Sequence, residues 1–226
     1  MMTAISDVPL PHSLLLATRS PGKLRELRPM FQAARFAVID LAAAGVAEQP
    51  VEDELEVATT FEENALAKAR YFHRLAGLPT IADDSGLEVF ALDGRPGVHS
   101  KRWSGRQDLR GQALDDANNA LLLEQLERAP GISAKGGGDR GARYVCVAAY
   151  CDASIAMTER GETRGKITRA PRGNGGFGYD PYFESEELEG RTFGEVSMAE
   201  KARVSHRARA FAKLLQRLSA HLTAFG

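Results

Sequence analysis

The pattern of apolar and polar positions near the start of the chain predicts a strand, a helix and a second strand. Residues 14–18 form an apolar run of strand length. Ser20 and Pro21 follow as a favourable N-cap and first helical residue, and apolar side chains then recur at helical spacing as far as Ala34. Residues 36–41 form a second apolar run. A strand, a short turn, a helix and a strand are the opening of an α/β fold.

Capping signals and alternation predict the next elements. Thr60 and Glu63 stand at the spacing of a capping box and open a helix that ends near Gly77. A short strand is then predicted over residues 80–82, followed by a loop over residues 83–86. Beyond this loop, alternating apolar positions predict another strand.

The second half of the chain completes a mixed α/β pattern. Its predicted elements are a helix over 108–128, a surface loop over 129–142 that contains Gly136-Gly137-Gly138, and strands over 144–150, 154–158 and 162–168. Arg160 and Gly161 are predicted to form the turn between the last two strands. Ser197 and Glu200 form a second capping box, and the helix that follows is predicted to continue unbroken to Leu222. This order favours a mixed sheet over an all-parallel Rossmann domain.

The composition narrows the classes of function. The chain has 226 residues, of which 43% are hydrophobic and 26% charged, as in ordinary globular proteins. Lys plus Arg number 29 against 30 for Asp plus Glu, which argues against a protein that coats nucleic acid. No apolar run approaches the roughly 20 residues that span a bilayer, and no signal peptide is evident, so we expect a cytoplasmic protein without membrane contact. Residues 1–12 are expected to be a flexible tail and residues 13–226 a single domain.

The turn after the first strand is a candidate phosphate site. A helix N-terminus at the carboxyl end of a strand presents free N–H groups that favour anions. Thr18 and Ser20 add hydroxyl groups. Lys23 adds a positive charge in the first helical turn, where a lysine is unfavourable unless an anion compensates for it. The alternative interpretation is a capped helix with a solvated lysine, and the spacing of a Walker A loop is absent.

The adjacent carboxylates Asp83 and Asp84 are candidates for acid–base or metal chemistry. Neighbouring side chains on an extended segment point to opposite sides, so we expect the two to have different roles. One of them can bind a divalent cation or accept a proton from water. Mg²⁺ favours one or two carboxylates together with substrate phosphates, and the second carboxylate can come from Glu54, Glu56, Glu62 or Glu63. The alternative is a turn with solvated carboxylates.

The glycine-rich segment over residues 173–181 favours a backbone wrapped closely around a flat ligand. Its aromatic residues Phe177 and Tyr179 can stack on a base, a contact worth roughly 1–3 kcal/mol per base. The alternative is a hairpin whose aromatic side chains lie in the core. Lys201 and His206 lie on the first turns of the last predicted helix, and by itself His206 is more typical of a surface or core position than of a functional one.

In this order, these segments resemble the inosine triphosphate pyrophosphatase family, also called the Ham1 family, and its bacterial dITP/XTP pyrophosphatase branch. The matching segments, which cover essentially the whole chain, are ATRSPGKLREL, TFEENALAKAR, IADDSGLEVFALDGRPGVHSKRWSG, GNGGFGYDPYF and EKARVSHRARA. The resemblance implies an elongated mixed α/β fold with two lobes around a central nucleotide-binding cleft, usually as a homodimer. It also implies Mg²⁺-dependent hydrolysis of ITP, dITP and XTP to the monophosphate and pyrophosphate, which removes deaminated purines from the nucleotide pool.

The resemblance further implies roles for the residues that match the family's motifs. The triphosphate is expected to contact Thr18, Arg19, Ser20, Pro21, Gly22 and Lys23. Glu56 is implied as a metal ligand, and Asp84 as a metal ligand and the general base. The other implied substrate contacts are Ser85, Phe177, Gly178, Tyr179, Asp180, Lys201, His206 and Arg207. A donor facing the purine O6 atom would reject adenine, and His206, Arg207 or an amide of the glycine-rich loop can supply it.

Two departures from the family pattern leave alternatives open. Ser20 stands where the family commonly has asparagine, and the segment VEDELEVATTF leaves both Glu54 and Glu56 as possible metal ligands. A Maf-like pyrophosphatase, which prefers pyrimidine nucleotides, is disfavoured by the GGFGYDP and SHR segments. A purine nucleotide sensor that does not cleave its ligand is disfavoured by the Asp83–Asp84 pair and Lys23, because a pure binder needs no carboxylate to activate water.

Overall fold

The computed structural model describes residues 13–132 and 138–225. The strands are β1 (Leu14–Leu16), β2 (Val38–Asp40), β3 (Thr80–Val89), β4 (Gly141–Cys151), β5 (Ala156–Ile167) and β6 (Phe183–Ser185). The helices are α1 (Pro21–Ala33), α2 (Phe61–Ala76), α3 (Gly111–Arg128), α4 (Met198–Val204) and α5 (His206–Phe225). Short 3-10 helices lie at Pro50–Glu54, Phe90–Leu92, Gly97–Arg102 and Asp180–Tyr182.

The directions of the strands make the sheet mixed. In the described part of the chain its six strands have the order β2-β1-β3-β4-β5-β6. β1 is parallel to both β2 and β3, whereas β3, β4, β5 and β6 are antiparallel in succession. The long central strands place Asp84 opposite Val147 and Cys146 opposite Gly161. The predicted α/β class with a mixed sheet is confirmed.

Helices cover both faces of the sheet. α1 and α5 pack on one face, where the rings of Phe31 and Phe211 meet edge to face with their centroids 5.8 Å apart. α2 packs on the other face through a cluster that contains Phe61 and Phe72. A third cluster, which includes Phe183, joins α3 to the far ends of β3 and β4. Side chains of β3 alternate between the first two clusters, so the middle of this strand can present polar groups to both sides.

The loop predicted over residues 83–86 is wrong, because β3 continues through it. Gly86 lies inside the strand, and a Cβ atom there would lie 2.2 Å from the carbonyl oxygen of Gly97. The glycine therefore permits a close backbone approach and does not form a turn. The carboxylates of Asp83 and Asp84 are paired with cations on neighbouring elements. The strand can therefore continue through both residues without exposing them to water.

The turn predicted at Arg160 and Gly161 is also wrong, because β5 is one continuous strand. A Cβ atom at Gly161 would lie 2.2 Å from the carbonyl oxygen of His206 and 2.4 Å from the backbone nitrogen of Ala210. Here too the glycine marks a close approach, in this case between the sheet and the first turns of α5. The start of α5 is thereby held directly against the sheet.

The last predicted helix is two helices. The Ser197–Glu200 capping box opens α4 as predicted, but the chain becomes extended at Ser205, with ψ of 146°. The Ser205 hydroxyl then accepts a hydrogen bond from the backbone nitrogen of Ala208 at 3.1 Å, as an N-cap does. The break separates α4 from α5, so the residues before and after Ser205 lie on two different helices.

Two predictions fall on residues outside the described ranges. The N-terminal tail, residues 1–12, is one, and most of the glycine run in the loop predicted over 129–142 is the other, since residues 133–137 are not described. Among the described helices, none is both long enough and apolar enough to cross a membrane.

Candidate active site

The middle of β3 places two carboxylates on opposite faces of the sheet. Asp83 and Asp84 are both buried, and their side chains contact different partners. Asp83 faces α1 and α5, whereas Asp84 faces α2. The expectation of different roles follows from this alternation, although the segment is a strand and not a loop.

On the α2 side, Lys68 joins two carboxylates. Its Nζ atom lies 2.5 Å from Glu56 Oε1 and 3.6 Å from Asp84 Oδ1, and it also donates to the backbone oxygen of Asp83. Asn64, one helical turn earlier on α2, donates from Nδ2 to Asp84 Oδ2 at 3.0 Å. Lys68 is buried, so its charge depends on these carboxylates for compensation.

The two carboxyl groups at Lys68 have opposite pKa shifts. Burial raises the pKa of Asp84, and the charge of Glu56 adds to the rise, against the opposing effect of Lys68. Burial also acts to raise the pKa of Glu56, but Lys68 and Lys23 outweigh it and lower that pKa to about 2. Pairs of acids whose pKa values are pushed apart are typical of sites that divide acid–base work. Asp84 is accordingly the better proton acceptor of the two near neutral pH.

On the other face, Asp83 binds cations from two helices. Its Oδ2 atom lies 3.0 Å from Lys23 Nζ and 3.4 Å from Arg207 Nε. Burial acts to raise the pKa of Asp83, but Lys23, Arg207 and Lys68 together hold it well below its ordinary value. Asp83 is therefore ionised, and it compensates for the lysine in the first turn of α1 that the sequence left unexplained.

Glu26 of α1 links the two cations contributed by the C-terminal helices. Its carboxylate accepts from Lys201 Nζ at 2.7 Å and from Arg207 Nη1. Arg207 also donates from Nη2 to Ser85 Oγ at 2.9 Å. Because Lys201 lies on α4 and Arg207 on α5, Glu26 holds these two helices to α1 at one point.

The glycine-rich loop brings Phe177 against these cations. Lys201 Nζ lies 5.0 Å from the centroid of the Phe177 ring, and Arg207 Cζ lies 5.6 Å from it. The ring packs on Gly22 so closely that a Cβ atom there would lie 2.6 Å from the ring. Asp180 accepts from the Phe177 backbone nitrogen at 2.8 Å and from Lys201 Nζ at 2.5 Å. Phe177 thus lies between α1 and α4 with its backbone held.

The remaining predicted phosphate contacts lie in the turn before α1. Ser20 is the N-cap, and its Oγ atom accepts from the backbone nitrogen of Lys23 at 3.3 Å. Thr18 Oγ1 accepts in turn from the Ser20 nitrogen at 3.2 Å. Arg19 points to the 3-10 helix Pro50–Glu54, where it makes two hydrogen bonds to Glu52 at 2.7 and 3.0 Å. Pro21 is the exposed first residue of α1.

Tyr179 and His206 both lie in the core. The Tyr179 hydroxyl donates to the backbone oxygen of Ser100 at 2.7 Å, and its ring belongs to the third core cluster. The His206 ring stacks on Tyr144 with centroids 4.5 Å apart and an angle of 6°. His206 is only 2% exposed, and its Nδ1 atom has no hydrogen-bond partner among the described residues. Burial lowers its pKa well below the ordinary value, with Arg207 and Lys201 adding to the shift, so the ring is neutral.

Asn64, Lys68 and Glu26 belong to this site, but the sequence did not identify them. On α2, Asn64 and Lys68 are buried one turn apart, beside the apolar stripe that the sequence does show. Polar residues on the buried face of a helix are a signal that can be recognised in advance. Glu26 follows Lys23 by three residues in a strongly charged stretch, and the pattern alone gives no reason to select it.

Glu56 and Asp84 form a donor set that fits Mg²⁺. Both are carboxylates that meet at one buried lysine, and Mg²⁺ favours one or two carboxylates with the rest of its ligands from phosphate and water. Glu54 lies exposed at the end of a 3-10 helix, whereas Glu56 points to Lys68. Over residues 13–132 and 138–225, no three His, Cys, Asp or Glu side chains gather as a protein-only metal cage.

The fold and the site define a mixed α/β protein with a buried, strongly charged site on its central strand. The Ham1 family model matches residues 14–217, and the chain belongs to this family. A dITP/XTP pyrophosphatase from Mycolicibacterium paratuberculosis is 46% identical over 205 residues, which cover 91% of this chain and 95% of the relative. One from Thermus thermophilus is 43% identical over 90% of each chain. The solved structure of a HAM1 protein from Coxiella burnetii is 33% identical and has a TM-score of 0.76 over 92% of this chain and 99% of the other.

Proposed function

We propose that this protein hydrolyses deaminated purine nucleoside triphosphates, namely ITP, dITP and XTP, to the nucleoside monophosphate and pyrophosphate. The observation that carries the proposal is that Asp84, Glu56 and Lys68 meet on one side of β3, the strand on which the adjacent Asp83 binds Lys23 and Arg207. It combines a proton acceptor with cations that can neutralise a polyphosphate. The activity in the names of the dITP/XTP pyrophosphatase relatives supports the same substrate class.

Asp84 is the proposed general base. The oxygen of a water molecule forms a bond to the α-phosphorus, the bond between this phosphorus and the α–β bridging oxygen breaks, and pyrophosphate leaves with that oxygen. The proton of the water passes to Asp84, whose Oδ2 atom is held by Asn64 and whose Oδ1 atom faces Lys68. Burial raises the pKa of Asp84 and so strengthens it as a base, while Asn64 keeps the carboxylate in one orientation.

Glu56 and Asp84 are the proposed ligands of Mg²⁺. When bound there, the ion supplies charge neutralisation for the polyphosphate. Lys68 and Lys23 stand on the two faces of β3 and are the proposed phosphate contacts. With the hydroxyl groups of Thr18 and Ser20, they place positive charge and donors around the leaving pyrophosphate.

Phe177 is the proposed stacking partner of the base, and His206 is the proposed determinant of base selection. The Phe177 ring can stack on any base, so it adds affinity without discrimination. Arg207 and the Phe177 amide already donate to Glu26, Ser85 and Asp180. His206 Nδ1 is buried without a partner in the described structure, so it is the donor we assign to the purine O6 atom. A His206→Ala enzyme with an unchanged preference for ITP over ATP would remove His206 from this role.

The proposal includes the organisation of the molecule. Residues 13–226 act as one domain, and the protein is a cytoplasmic homodimer. The continuous match of the family model over residues 14–217 supports a single domain. Light scattering on the purified protein measures the number of chains, and a monomer at all concentrations would contradict the dimer.

The test is release of pyrophosphate with Mg²⁺ from ITP, dITP, XTP, GTP, ATP and dTTP. We expect rapid release from ITP, dITP and XTP only, and a rate lower by about 10²–10⁴-fold in Asp84→Asn. Asp116→Asn, which changes an exposed carboxylate on α3, is the matched control. Preference for dTTP would assign the chain to a Maf-like activity. Tight binding of ITP without any pyrophosphate would make it a nucleotide sensor.

A further inference from the structure

Two side chains of α3 hold the glycine-rich loop at Gly178. The Gly178 backbone nitrogen donates to Asp115 Oδ2 at 2.8 Å, and Asn119 Nδ2 donates to the Gly178 carbonyl oxygen at 3.0 Å. Asp115 and Asn119 stand four residues apart and therefore share one face of the helix. The backbone N–H and C=O groups of Gly178 are thus both held by side chains of α3 and not by the loop itself.

Gly178 is the point at which this restraint acts on Phe177. Its φ of 63° is in the left-handed region, so the direction of the chain changes there. On the other side, the Phe177 nitrogen donates to Asp180 Oδ2 at 2.8 Å. The backbone of Phe177 is therefore anchored before and after its side chain, which limits how far movement of the loop can carry the ring away from Gly22.

Packing alone does not explain why Asp115 and Asn119 are polar. Leu122 and Leu126 continue the same helical stripe as Asp115 and Asn119, and both leucines are fully buried. Apolar residues at 115 and 119 would extend that stripe. Instead Asn119 is 5% exposed, and its Oδ1 atom has no hydrogen-bond partner in the residues described. Burial of an unpaired amide oxygen is unfavourable, so these polar residues are explained by what they hold.

We propose that Asp115 and Asn119 are positioning residues that fix Phe177 and thereby set the affinity for the purine base. The inference rests on the proposed function, in which Phe177 stacks on the base. Stacking contributes equally to the ground state and the transition state, so its loss raises KM and leaves kcat unchanged. Stacking on one aromatic ring strengthens binding by about 5- to 150-fold, which limits the effect from above.

The kinetic test compares Asp115→Ala and Asn119→Ala with Asp116→Ala, an exposed neighbour on the same helix. We expect the first two variants to raise KM for ITP by about 5- to 30-fold with kcat within about twofold. Inhibition by inorganic pyrophosphate, which has no base, stays unchanged, and binding of IMP weakens by the same factor as KM. Asp115→Asn keeps an acceptor oxygen and restores KM to within about threefold of the wild type.

The proposal would be overturned if Asp115→Ala lowered kcat and the affinity for pyrophosphate by the same factor by which it raised KM. A rise in KM of the same size in Asp116→Ala would also overturn it. Exchange of the Gly178 amide proton, measured by NMR in the ligand-free protein, separates this inference from the proposed function. We expect exchange to be about tenfold faster or more in Asp115→Ala and unchanged in Asp116→Ala. If the wild type does not hydrolyse ITP, faster exchange with weaker IMP binding still supports the α3 restraint. Unchanged exchange refutes it.

Discussion

Replacement of Glu26 by glutamine tests whether one buried carboxylate holds α1, α4 and α5 together. The Glu26 side chain is 16% exposed, and the Lys201 and Arg207 side chains are 5% and 3% exposed. Glutamine has nearly the same shape and can still accept one hydrogen bond. It carries no charge, so Glu26→Gln leaves two buried cations with less compensation.

The magnitude follows from the burial of all three groups. Two unit charges about 4 Å apart attract by about 4 kcal/mol at an effective dielectric constant of about 20. Lys201 keeps Asp180 as a partner and Arg207 keeps Asp83, so part of the loss is compensated. We expect Glu26→Gln to lower the free energy of unfolding by about 3–5 kcal/mol, as for other buried pairs that lose one partner. For a chain of this size, the melting temperature falls by about 6–20 °C.

The stability lost in Glu26→Gln should depend on pH in a definite direction. Burial acts to raise the pKa of Glu26, but Arg207 and Lys201 outweigh it and lower that pKa below its ordinary value of 4.5. The stabilisation is therefore complete above pH 4.5 and is lost progressively as the pH falls from there through the lowered pKa of the folded protein. Urea unfolding should give the same difference in the free energy of unfolding between wild type and Glu26→Gln at about pH 7.5 and 5.5. At about pH 4 this difference should be smaller.

Glu54→Gln is the control for charge removal, because Glu54 is exposed, and its effect should stay within about 0.5 kcal/mol. A loss below about 1 kcal/mol in Glu26→Gln would mean that solvent screens the contacts as it does at a surface. A difference that grows as the pH falls would refute the assignment of Glu26 as an ionised partner.

The remaining predictions address the α2 side of β3 and the contact with α5. Lys68→Met should lower kcat for ITP by about tenfold or more, because a polyphosphate contact is lost, whereas Arg70→Met on the exposed face of α2 should not. Glu56→Gln should weaken Mn²⁺ binding, measured by its paramagnetic effect on water relaxation, by about tenfold or more, whereas Glu54→Gln should leave it unchanged. Equal effects of Glu56→Gln and Glu54→Gln would contradict the assignment of Glu56. Gly161→Ala should lower the free energy of unfolding by about 1–3 kcal/mol, because a methyl group meets the backbone of α5, and an unchanged urea midpoint would contradict this close contact.

Local signals in the sequence predict the elements that depend on local interactions. The Thr60 cap and the Ser197–Glu200 capping box begin helices where expected, because the capping hydrogen bonds lie within a few residues. Gly161 is predicted in a turn, whereas it lies inside a strand at a close backbone contact, as Gly86 does. A glycine that forms a turn and a glycine that admits a distant backbone carry the same local signal. Only the packed structure distinguishes them.

The candidate site shows the same limit. Asp84 and Lys23 could be selected because an acidic pair and a lysine at a helix N-terminus are unusual in their own neighbourhoods. The partner of each could not be selected, since Asp83 and Lys23 are 60 residues apart in the chain. Glu26 lies among other charged residues of α1, and its burial depends on where α4 and α5 begin. Pairing across elements is a property of the fold and not of any segment.

The charges of the site place a condition on its ligand. Lys23, Lys201 and Arg207 are already paired with carboxylates, so a ligand must replace or share existing ion pairs and not merely fill an unsatisfied site. Its affinity is then a difference between two sets of buried interactions, each partly cancelled by desolvation. A triphosphate brings enough negative charge to compete with these carboxylates at several cations together. Under the proposed function, the monophosphate and the pyrophosphate each carry less negative charge than the triphosphate. Once the bond between them is broken, they can no longer bind as one ligand. The carboxylates that stabilise the free protein therefore also favour release of the products.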